Sequence, residues 1–303
     1  MKPIHYIERT TGKTCEEAVY GGTFLKFLYG ETLLSKFLGL PLGHCLAKIP
    51  AISAWYGKLQ SSPASAKRVI PFIEKFGVDT AEFAKPAEAF TSFNDFFTRE
   101  LTPAARPIAK GADTAIIPAD GRYLFHQNIA NADGFVVKGK KFDLKELLQD
   151  ESLAEEYAQG SMVMARLCPT DYHRFHFPCD CIPGATEVIN GSLYSVNPIA
   201  IKKNIGIFTE NKRTLCKLET KDFGTILYME IGATCVGTIH ETYKPGVPVQ
   251  KGAEKGYFSF GGSSLILLFK PGSIIFDEDL LNASSNLIEI KCLMGQSMGK
   301  SRK

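Results

Sequence analysis

Residues 257–269 (YFSFGGSSLILLF) hold the most reactive pattern in this 303-residue sequence. The apolar residues predict a buried strand, yet four small residues interrupt its middle. Glycine inside a strand usually marks a bulge or a close backbone approach, which is the simpler interpretation. The alternative is a Gly–Ser bond built to react. Glycine leaves its carbonyl carbon unshielded, and the next serine hydroxyl can attack that carbon if a base and a strained peptide assist.

Two of the six histidines lie close together in residues 171–178 (DYHRFHFP). His173 and His176 are separated by two residues, between Pro169 and Pro178, and aromatic residues interleave with them. This pattern favours an extended or turn conformation, in which the two rings point to opposite sides. One histidine then serves the serine hydroxyl and the other faces a substrate. The alternatives are a core histidine or half of a metal pair, but nothing nearby completes a metal site, so no metal is predicted.

A third segment, residues 118–121 (PADG), places an aspartate before a glycine. In isolation this is ordinary turn chemistry. A functional Asp120 would instead orient a histidine and stabilise its charged form, completing a Ser-His-Asp set in the chain order Asp, His, Ser.

The elements that must position these residues are mainly strands. Short β-rich runs separated by glycine and proline occur between residues 110 and 290, at 116–117, 136–137, 162–167, 225–231 and 235–239. Within this region only residues 140–157 predict a helix, and another is predicted over 66–76. The interpretation is an α+β fold, with N-terminal helices followed by a mainly β catalytic domain.

Residues 22–60 are both apolar and basic. One broad helical face carries Phe24, Phe27, Leu28, Leu34 and Leu38, although Glu31 interrupts it, and Lys26 and Lys36 lie elsewhere. The longest uncharged run here, residues 37–47, is too short to cross a bilayer, which needs about 20 residues. Two interpretations stay open: the helices lie on an anionic membrane, or they pack on the protein's own core.

Composition excludes several other classes. Hydrophobic residues make up 45% and charged residues 22%, as in ordinary globular proteins. The net charge of +3 is too small to predict nucleic-acid binding. The eight cysteines are scattered, so reduced thiols are expected rather than a disulfide framework. The first twenty residues lack the apolar core of a signal peptide.

Taken in order, these segments resemble the phosphatidylserine decarboxylase family over nearly the whole chain. The matching pieces are residues 93–101 (FNDFFTREL), 104–108 (AARPI), 118–121, 171–176, 192–197 (SLYSVN), 258–264 and 294–299 (MGQSMG). One departure concerns the cleavage motif, commonly Leu-Gly-Ser-Thr. Here it is Gly-Gly-Ser-Ser, in which Ser264 keeps the hydroxyl and Gly261 replaces the leucine.

The resemblance implies a precursor that cleaves itself at Gly262–Ser263, giving a β-chain of residues 1–262 and an α-chain of residues 263–303. Asp120, His176 and Ser263 would form the charge relay for self-cleavage. Ser263 would become a covalent pyruvoyl group that forms a Schiff base with the substrate, and His173 would assist decarboxylation. The expected product is phosphatidylethanolamine, formed without pyridoxal phosphate.

The resemblance also implies a β-sandwich-like core and an α/β-chain heterodimer, which could pair further into a dimer of heterodimers. Residues 1–65 are interpreted as a helical membrane-associating region and residues 66–303 as the catalytic domain. The predicted location is peripheral, on the cytoplasmic side of the cell membrane, with phosphatidylserine in an anionic bilayer as the substrate. Two rivals remain: a pyruvoyl decarboxylase of a soluble amino acid, and a non-catalytic β-rich binding module.

Overall fold

The computed structural model describes residues 4–17, 50–131, 136–137, 140–141, 143–201, 206–233, 239–260 and 263–302. Residues 18–49, which belong to the predicted membrane-associating region 1–65, lie outside these ranges, as do Gly261 and Gly262. The α-helices of the described residues are α1 (Pro50–Gln60), α2 (Val69–Phe76), α3 (Phe93–Phe97), α4 (Leu144–Leu148), α5 (Glu151–Tyr157), α6 (Pro198–Ile201), α7 (Ile207–Glu210) and α8 (Glu278–Ser285). The 3-10 helices are Pro63–Arg68, Thr80–Glu82, Ala87–Ala89, Pro103–Ala105 and Ile129–Asn131.

Strands dominate the second half of the chain. They are β1 (His5–Glu8), β2 (Lys13–Glu16), β3 (Thr114–Ile116), β4 (Gly121–His126), β5 (Val136–Val137), β6 (Lys140–Lys141), β7 (Ser161–Leu167), β8 (Arg174–His176), β9 (Ile182–Pro183), β10 (Glu187–Ile189), β11 (Arg213–Glu219), β12 (Thr225–Gly232), β13 (Ile239–Glu241), β14 (Glu254–Phe258), β15 (Ser263–Phe269), β16 (Ile274–Phe276), β17 (Glu289–Cys292) and β18 (Ser297–Ser301).

One large sheet organises the molecule. Across the described residues it has ten strands in the order β10-β11-β12-β15-β7-β4-β17-β1-β2, with β9 paired to β11. Two three-stranded sheets, β13-β14-β8 and β16-β18-β3, and the β5-β6 pair complete the β structure of the same residues. Nearly all pairs are antiparallel, and β1 with β17 is a parallel one.

The large sheet is covered on both faces, which explains why its central strands are continuously apolar. On β15, Leu265, Leu267 and Phe269 face a core shared with Phe175 and Phe258 of the small sheet β13-β14-β8. This sheet-on-sheet packing confirms the predicted sandwich-like, α+β fold.

The opposite face of the large sheet packs against helices. Ile266 and Leu268 of β15 join a second core with residues from α4 to α7, among them Leu147, Tyr157 and Phe208. Because successive strand residues point to opposite faces, β15 is fully buried along its length.

A third core consists mainly of aromatic residues beneath the N-terminal helices. Its buried members are Val69, Phe72, Ile73, Phe83, Phe90, Phe93, Phe96, Phe97 and Phe260. Phe260 precedes the Gly261–Gly262 pair, so this core connects the helices to the predicted cleavage segment.

Two strands near the N-terminus were not expected from the sequence. The hairpin β1-β2 joins the edge of the large sheet through β17. Glu17, just after it, pairs with the buried Arg166 of β7 at 2.8 Å. Residues 4–17 are therefore built into the sheet, although they fall within the region predicted as helical.

The strand predictions at 162–167 and 225–231 are confirmed by β7 and β12. The single helix predicted over 140–157 is wrong, because residues 140–141 form β6 and two helices follow. Gln149 adopts a left-handed conformation (φ 51°) that ends α4. The Asp150 carboxylate then accepts the N–H of Leu153 and starts α5.

The helix predicted over 66–76 begins as the 3-10 helix Pro63–Arg68 and becomes α-helical from Val69. No helix among the described residues has the length and apolar character needed to cross a membrane. The six cysteines in the described ranges are free thiols. The strand predicted at 235–239 falls mostly outside these ranges.

Candidate active site

Ser263 is the first residue of β15, the strand that lies between β12 and β7. It pairs with Gly232 on one side and Leu167 on the other. The residue is 0% exposed, and its Oγ has no hydrogen-bond partner among the described residues. The same holds for Ser264 Oγ. Unpaired buried hydroxyls are uncommon and costly, so this pair of serines marks a site with unused hydrogen-bonding capacity.

The prediction of one strand over 257–269 is wrong. Phe258 ends β14 in a small sheet, whereas Ser263 begins β15 in the large sheet, so the chain changes layer between them. By the alternation of β15, Ser263 shares the face of Leu265, which looks toward the small sheet. Phe258 and Ser263 therefore lie in different layers of the fold, and one regular strand cannot contain both.

The predicted extended form of the histidine segment is confirmed by β8, which includes His176 and pairs with β14. His173, just before β8, is 0% exposed and its ring centroid lies 3.7 Å from that of Phe97. Its Nδ1 lies 2.9 Å from the Asp171 carbonyl oxygen. A carbonyl only accepts, so the proton is on Nδ1.

The other ring nitrogen of His173, Nε2, is buried and has no partner among the described residues. Burial lowers the pKa of His173 to about 3, against smaller opposing effects of Asp171. The ring is therefore neutral near pH 7, with an unprotonated Nε2. Such an atom can accept a proton without first breaking another hydrogen bond.

His176 is also buried and neutral. Its Nδ1 donates to the Gly252 carbonyl at 3.0 Å, and its Nε2 lies 3.3 Å from the Tyr172 hydroxyl. Burial lowers the pKa of His176, while the Gly252 carbonyl and nearby Glu254 and Asp120 oppose that shift. Its Nε2 is consequently a base that a hydroxyl group already approaches.

Asp120 lies in the bend before β4 and is buried. Its carboxylate pairs with Arg106 at 2.6 Å and accepts the N–H of Met294 at 2.8 Å. Burial raises the pKa of Asp120, and the Arg106 guanidinium counters part of that rise. Arg106 is itself shared with Glu82 at 2.7 Å.

The structure brings the segments of Asp120 and His176 together, since the N–H of His176 donates to the Pro118 carbonyl at 2.8 Å. Within the described residues, however, the hydrogen bonds of Asp120 run to Arg106 and Met294, and those of His176 to Gly252 and Tyr172. Asp120 thus acts on His176 through its charge and not through a direct hydrogen bond.

Sequence reasoning missed the residues that hold this site in place. Arg99 is buried and donates to the carbonyls of Thr170 and Asp171, the turn that carries His173. Arg122 pairs with the Asp171 carboxylate at 2.9 Å. Burial alone raises the pKa of Asp171, but Arg122 and the Cys168 N–H lower it below its usual value. Arg99 lies within one of the segments that carry the family resemblance, and Arg122 lies directly after another, so their positions could have indicated a role.

Fold and site together define an α+β protein that buries a serine hydroxyl, an aspartate and two neutral histidines among its sheets. The family model for phosphatidylserine decarboxylase matches residues 93–300. The chain belongs to the phosphatidylserine decarboxylase family, which confirms the resemblance drawn from its sequence.

Relatives extend the similarity to the N-terminal residues. The chain is 48% identical over 303 residues to the phosphatidylserine decarboxylase proenzyme of Chlamydia pneumoniae, covering 100% of this chain and 99% of the relative. It is 50% identical over 301 residues to the protein of the same name from Chlamydia caviae, and 49% identical to that from Chlamydia felis, each with 99% coverage of both chains.

Proposed function

We propose that this chain is a phosphatidylserine decarboxylase, a carboxy-lyase made as a proenzyme that cleaves itself at Gly262–Ser263. The observation that carries the proposal is Ser263, whose buried hydroxyl has no hydrogen-bond partner among the described residues; Ser263 follows a glycine and begins β15, an interior strand of the large sheet. A structural serine at such a position would be expected to find a partner. A hydroxyl that serves as a nucleophile does not need a permanent hydrogen-bond partner.

Self-cleavage and formation of the pyruvoyl group need only the chain itself and one water molecule. Ser263 Oγ gives its proton to a base and attacks the Gly262 carbonyl carbon, and the peptide bond becomes an ester. Elimination then releases the β-chain with a Gly262 carboxylate and leaves a dehydroalanine at residue 263. Addition of water and loss of ammonia convert that residue to a pyruvoyl group.

His176 is the proposed base, because it is neutral and its Nε2 already accepts from a hydroxyl. Asp120 supports it as a nearby negative charge, which stabilises the imidazolium formed when the ring takes the proton. Arg106 and Glu82 keep the Asp120 carboxylate in place. This assignment requires the Ser263 hydroxyl to take the place of the Tyr172 hydroxyl at His176 Nε2.

The pyruvoyl ketone supplies an electrophile for the substrate amine and an electron sink for the loss of CO2. Ser263 fits that group, since its carbon skeleton is already held in the sheet on both sides. His173 is the proposed proton carrier for decarboxylation. Its Nε2, which has no other partner among the described residues, is available to exchange a proton with the carbon that loses CO2.

Because phosphatidylserine is a membrane lipid, we expect the site to lie near a membrane surface. Trp55 and Leu59 lie one helical turn apart on α1 and are 61% and 41% exposed, with the exposed Lys58 beside them. The next α1 residue after Trp55, Tyr56, packs on Phe260 with ring centroids 6.0 Å apart. The apolar and basic surface thus adjoins the cleavage segment, as expected for peripheral binding to anionic lipid on the cytoplasmic side.

Three substitutions test the assigned roles. Ser263→Ala removes the nucleophile and the cofactor precursor, so it should give an uncleaved, inactive chain. His176→Ala should also stop at the precursor, whereas His173→Ala should cleave and then fail to decarboxylate. Gel analysis of cleavage and release of labelled CO2 give the two readouts. Exchanged histidine phenotypes would show that the two roles are assigned the wrong way round, and cleavage of Ser263→Ala between residues 263 and 264 would point to Ser264 as the nucleophile.

A further inference from the structure

The chain just before the cleavage bond is held by a side chain of α3. The backbone N–H of Phe260 donates to Asn94 Oδ1 at 2.8 Å. The Phe260 ring is buried against Phe93 and Phe97, with centroids 5.2 Å and 4.9 Å away. Backbone and ring of Phe260 are therefore both fixed by the same short helix.

Several contacts fix the position of helix α3. Ser92 caps it by accepting the N–H of Asp95 at 3.1 Å, and Lys85 pairs with the Asp95 carboxylate at 2.8 Å. The N–H of Phe93 donates to the buried Ser65 hydroxyl at 2.8 Å. Asn94 thus projects from a helix whose start is anchored at three points.

The other end of the cleavage segment is fixed by the large sheet, where Ser263 pairs with strands on both sides. Only Gly261 and Gly262 connect Phe260 to Ser263, and a residue spans at most about 3.3–3.6 Å. With both ends held, a short link has few ways to present its last carbonyl. Glycine alone does not restrict that carbonyl, because it is the most freely rotating residue.

We propose that Asn94 is a positioning residue for self-cleavage. Its side-chain oxygen fixes the Phe260 N–H, and through it the distance and direction from which Ser263 Oγ meets the Gly262 carbonyl. Asn94 does not touch the reacting atoms. The inference rests on the proposed cleavage at Gly262–Ser263.

The test compares side chains of similar size that differ in the acceptor oxygen. Precursor synthesised in a cell-free system would be pulse-labelled and its decay followed on gels. Loss of one hydrogen bond is worth about 0.5–1.5 kcal/mol, so Asn94→Leu and the smaller Asn94→Ala should slow cleavage about two- to tenfold. Asn94→Asp retains an acceptor oxygen and should stay within about twofold of the parent chain.

Asn128 provides the matched control, because its side-chain oxygen accepts the N–H of Ala130 at 2.8 Å, in a different part of the fold. Asn128→Leu should cleave at the parent rate. Equal slowing by Asn94→Leu and Asn94→Asp, or parent rates for both Asn94→Leu and Asn94→Ala, would overturn the proposal. Ser263→Ala separates this failure from a wrong cleavage site, because a cleaved Ser263→Ala chain would contradict the proposed function itself.

Discussion

Both histidines of the site share one tautomer, and that determines what they can do. In His173 and in His176 the proton is on Nδ1, bound to a backbone carbonyl, and Nε2 is the basic atom. Burial lowers the pKa of each, so both rings are neutral at pH 7. The backbone carbonyls of Asp171 and Gly252 orient the rings, the task that an aspartate performs in a Ser-His-Asp triad.

Acid should destabilise the precursor through His173. The unfolded chain takes a proton near pH 6.5, whereas the folded one does so at about pH 3. The free energy of unfolding is therefore unaffected by His173 above about pH 6.5, and it falls by about 1.4 kcal/mol per pH unit below that value. Urea unfolding of the Ser263→Ala precursor at about pH 7 and about pH 5 measures this loss.

His173→Phe on the same Ser263→Ala background is the control, since it removes the titrating group and keeps a ring against Phe97. It should lose about 2 kcal/mol less between the two pH values. Equal losses in both proteins would mean that the folded pKa of His173 is not depressed.

The candidate site residues could be named from the sequence, but their partners could not. Asp120, His173, His176 and Ser263 were identified by type and order. Arg106 is too far from Asp120 in the chain for the sequence to reveal that their side chains meet at 2.6 Å. Ion pairing across a fold depends on where the chain brings charges together, and no local spacing encodes that.

At the scale of elements, β14 and β12 are joined by a buried ion pair that the proposed mechanism does not use. Lys255 of β14 is 0% exposed, and its Nζ lies 2.6 Å from Glu230 Oε1 of β12 and 3.1 Å from Glu241 Oε1 of β13. It also lies over the rings of Phe175, Tyr228 and Tyr243. The pair links the small sheet, whose strand β14 ends before the cleavage segment, to the large sheet, whose strand β15 begins after it.

Lys255→Met should destabilise the Ser263→Ala precursor by about 3–5 kcal/mol, because it leaves the Glu230 charge buried and uncompensated. The double variant Lys255→Met/Glu230→Leu removes both fully buried charges, leaves only the partly exposed Glu241, and should be much more stable than the single variant. Urea unfolding gives both values. Lys145→Met, which breaks the exposed pair with Glu151, should cause no measurable change. A double variant as unstable as the single one would argue that the rings and packing, and not the charge, account for the loss.

Element prediction succeeded where one physical signal dominated. The apolar runs of β7 and β12 are long and flanked by turn residues, so their strands were predictable. The break between β14 and β15 was not, because β-propensity does not tell whether two runs share a sheet. The hairpin β1-β2 was missed because its residues are polar and half-buried, with only a sheet edge to hold them.

At the scale of the whole molecule, the strands of the predicted α-chain pair with strands of the predicted β-chain. Its strand β15 lies between β7 and β12, β17 lies between β4 and β1, and β18 pairs with β3. Each contact is between residues on opposite sides of the Gly262–Ser263 bond. Cleavage therefore cuts one peptide bond in a sheet whose hydrogen bonds remain, so the two chains are expected to stay together as a heterodimer.

Membrane association should depend on residues 22–47 and not on the N-terminal hairpin β1-β2. Deletion of residues 22–47 leaves residues 4–17 in the sheet and α1 in place, so self-cleavage should persist. Binding to anionic vesicles should weaken, at about 1 kcal/mol per basic residue removed. Turnover of long-chain phosphatidylserine should fall more than turnover of a short-chain, soluble form. Sedimentation with vesicles at low and high salt gives the measurement, and unchanged binding would place the membrane face elsewhere.

The central claim, that Ser263 becomes the cofactor by self-cleavage, is tested most directly by the intact mass of the purified protein. The account predicts two chains, divided between Gly262 and Ser263, with the smaller one blocked at its N-terminus by a pyruvoyl group. A single intact chain of 33.3 kDa that nevertheless decarboxylates phosphatidylserine would contradict it.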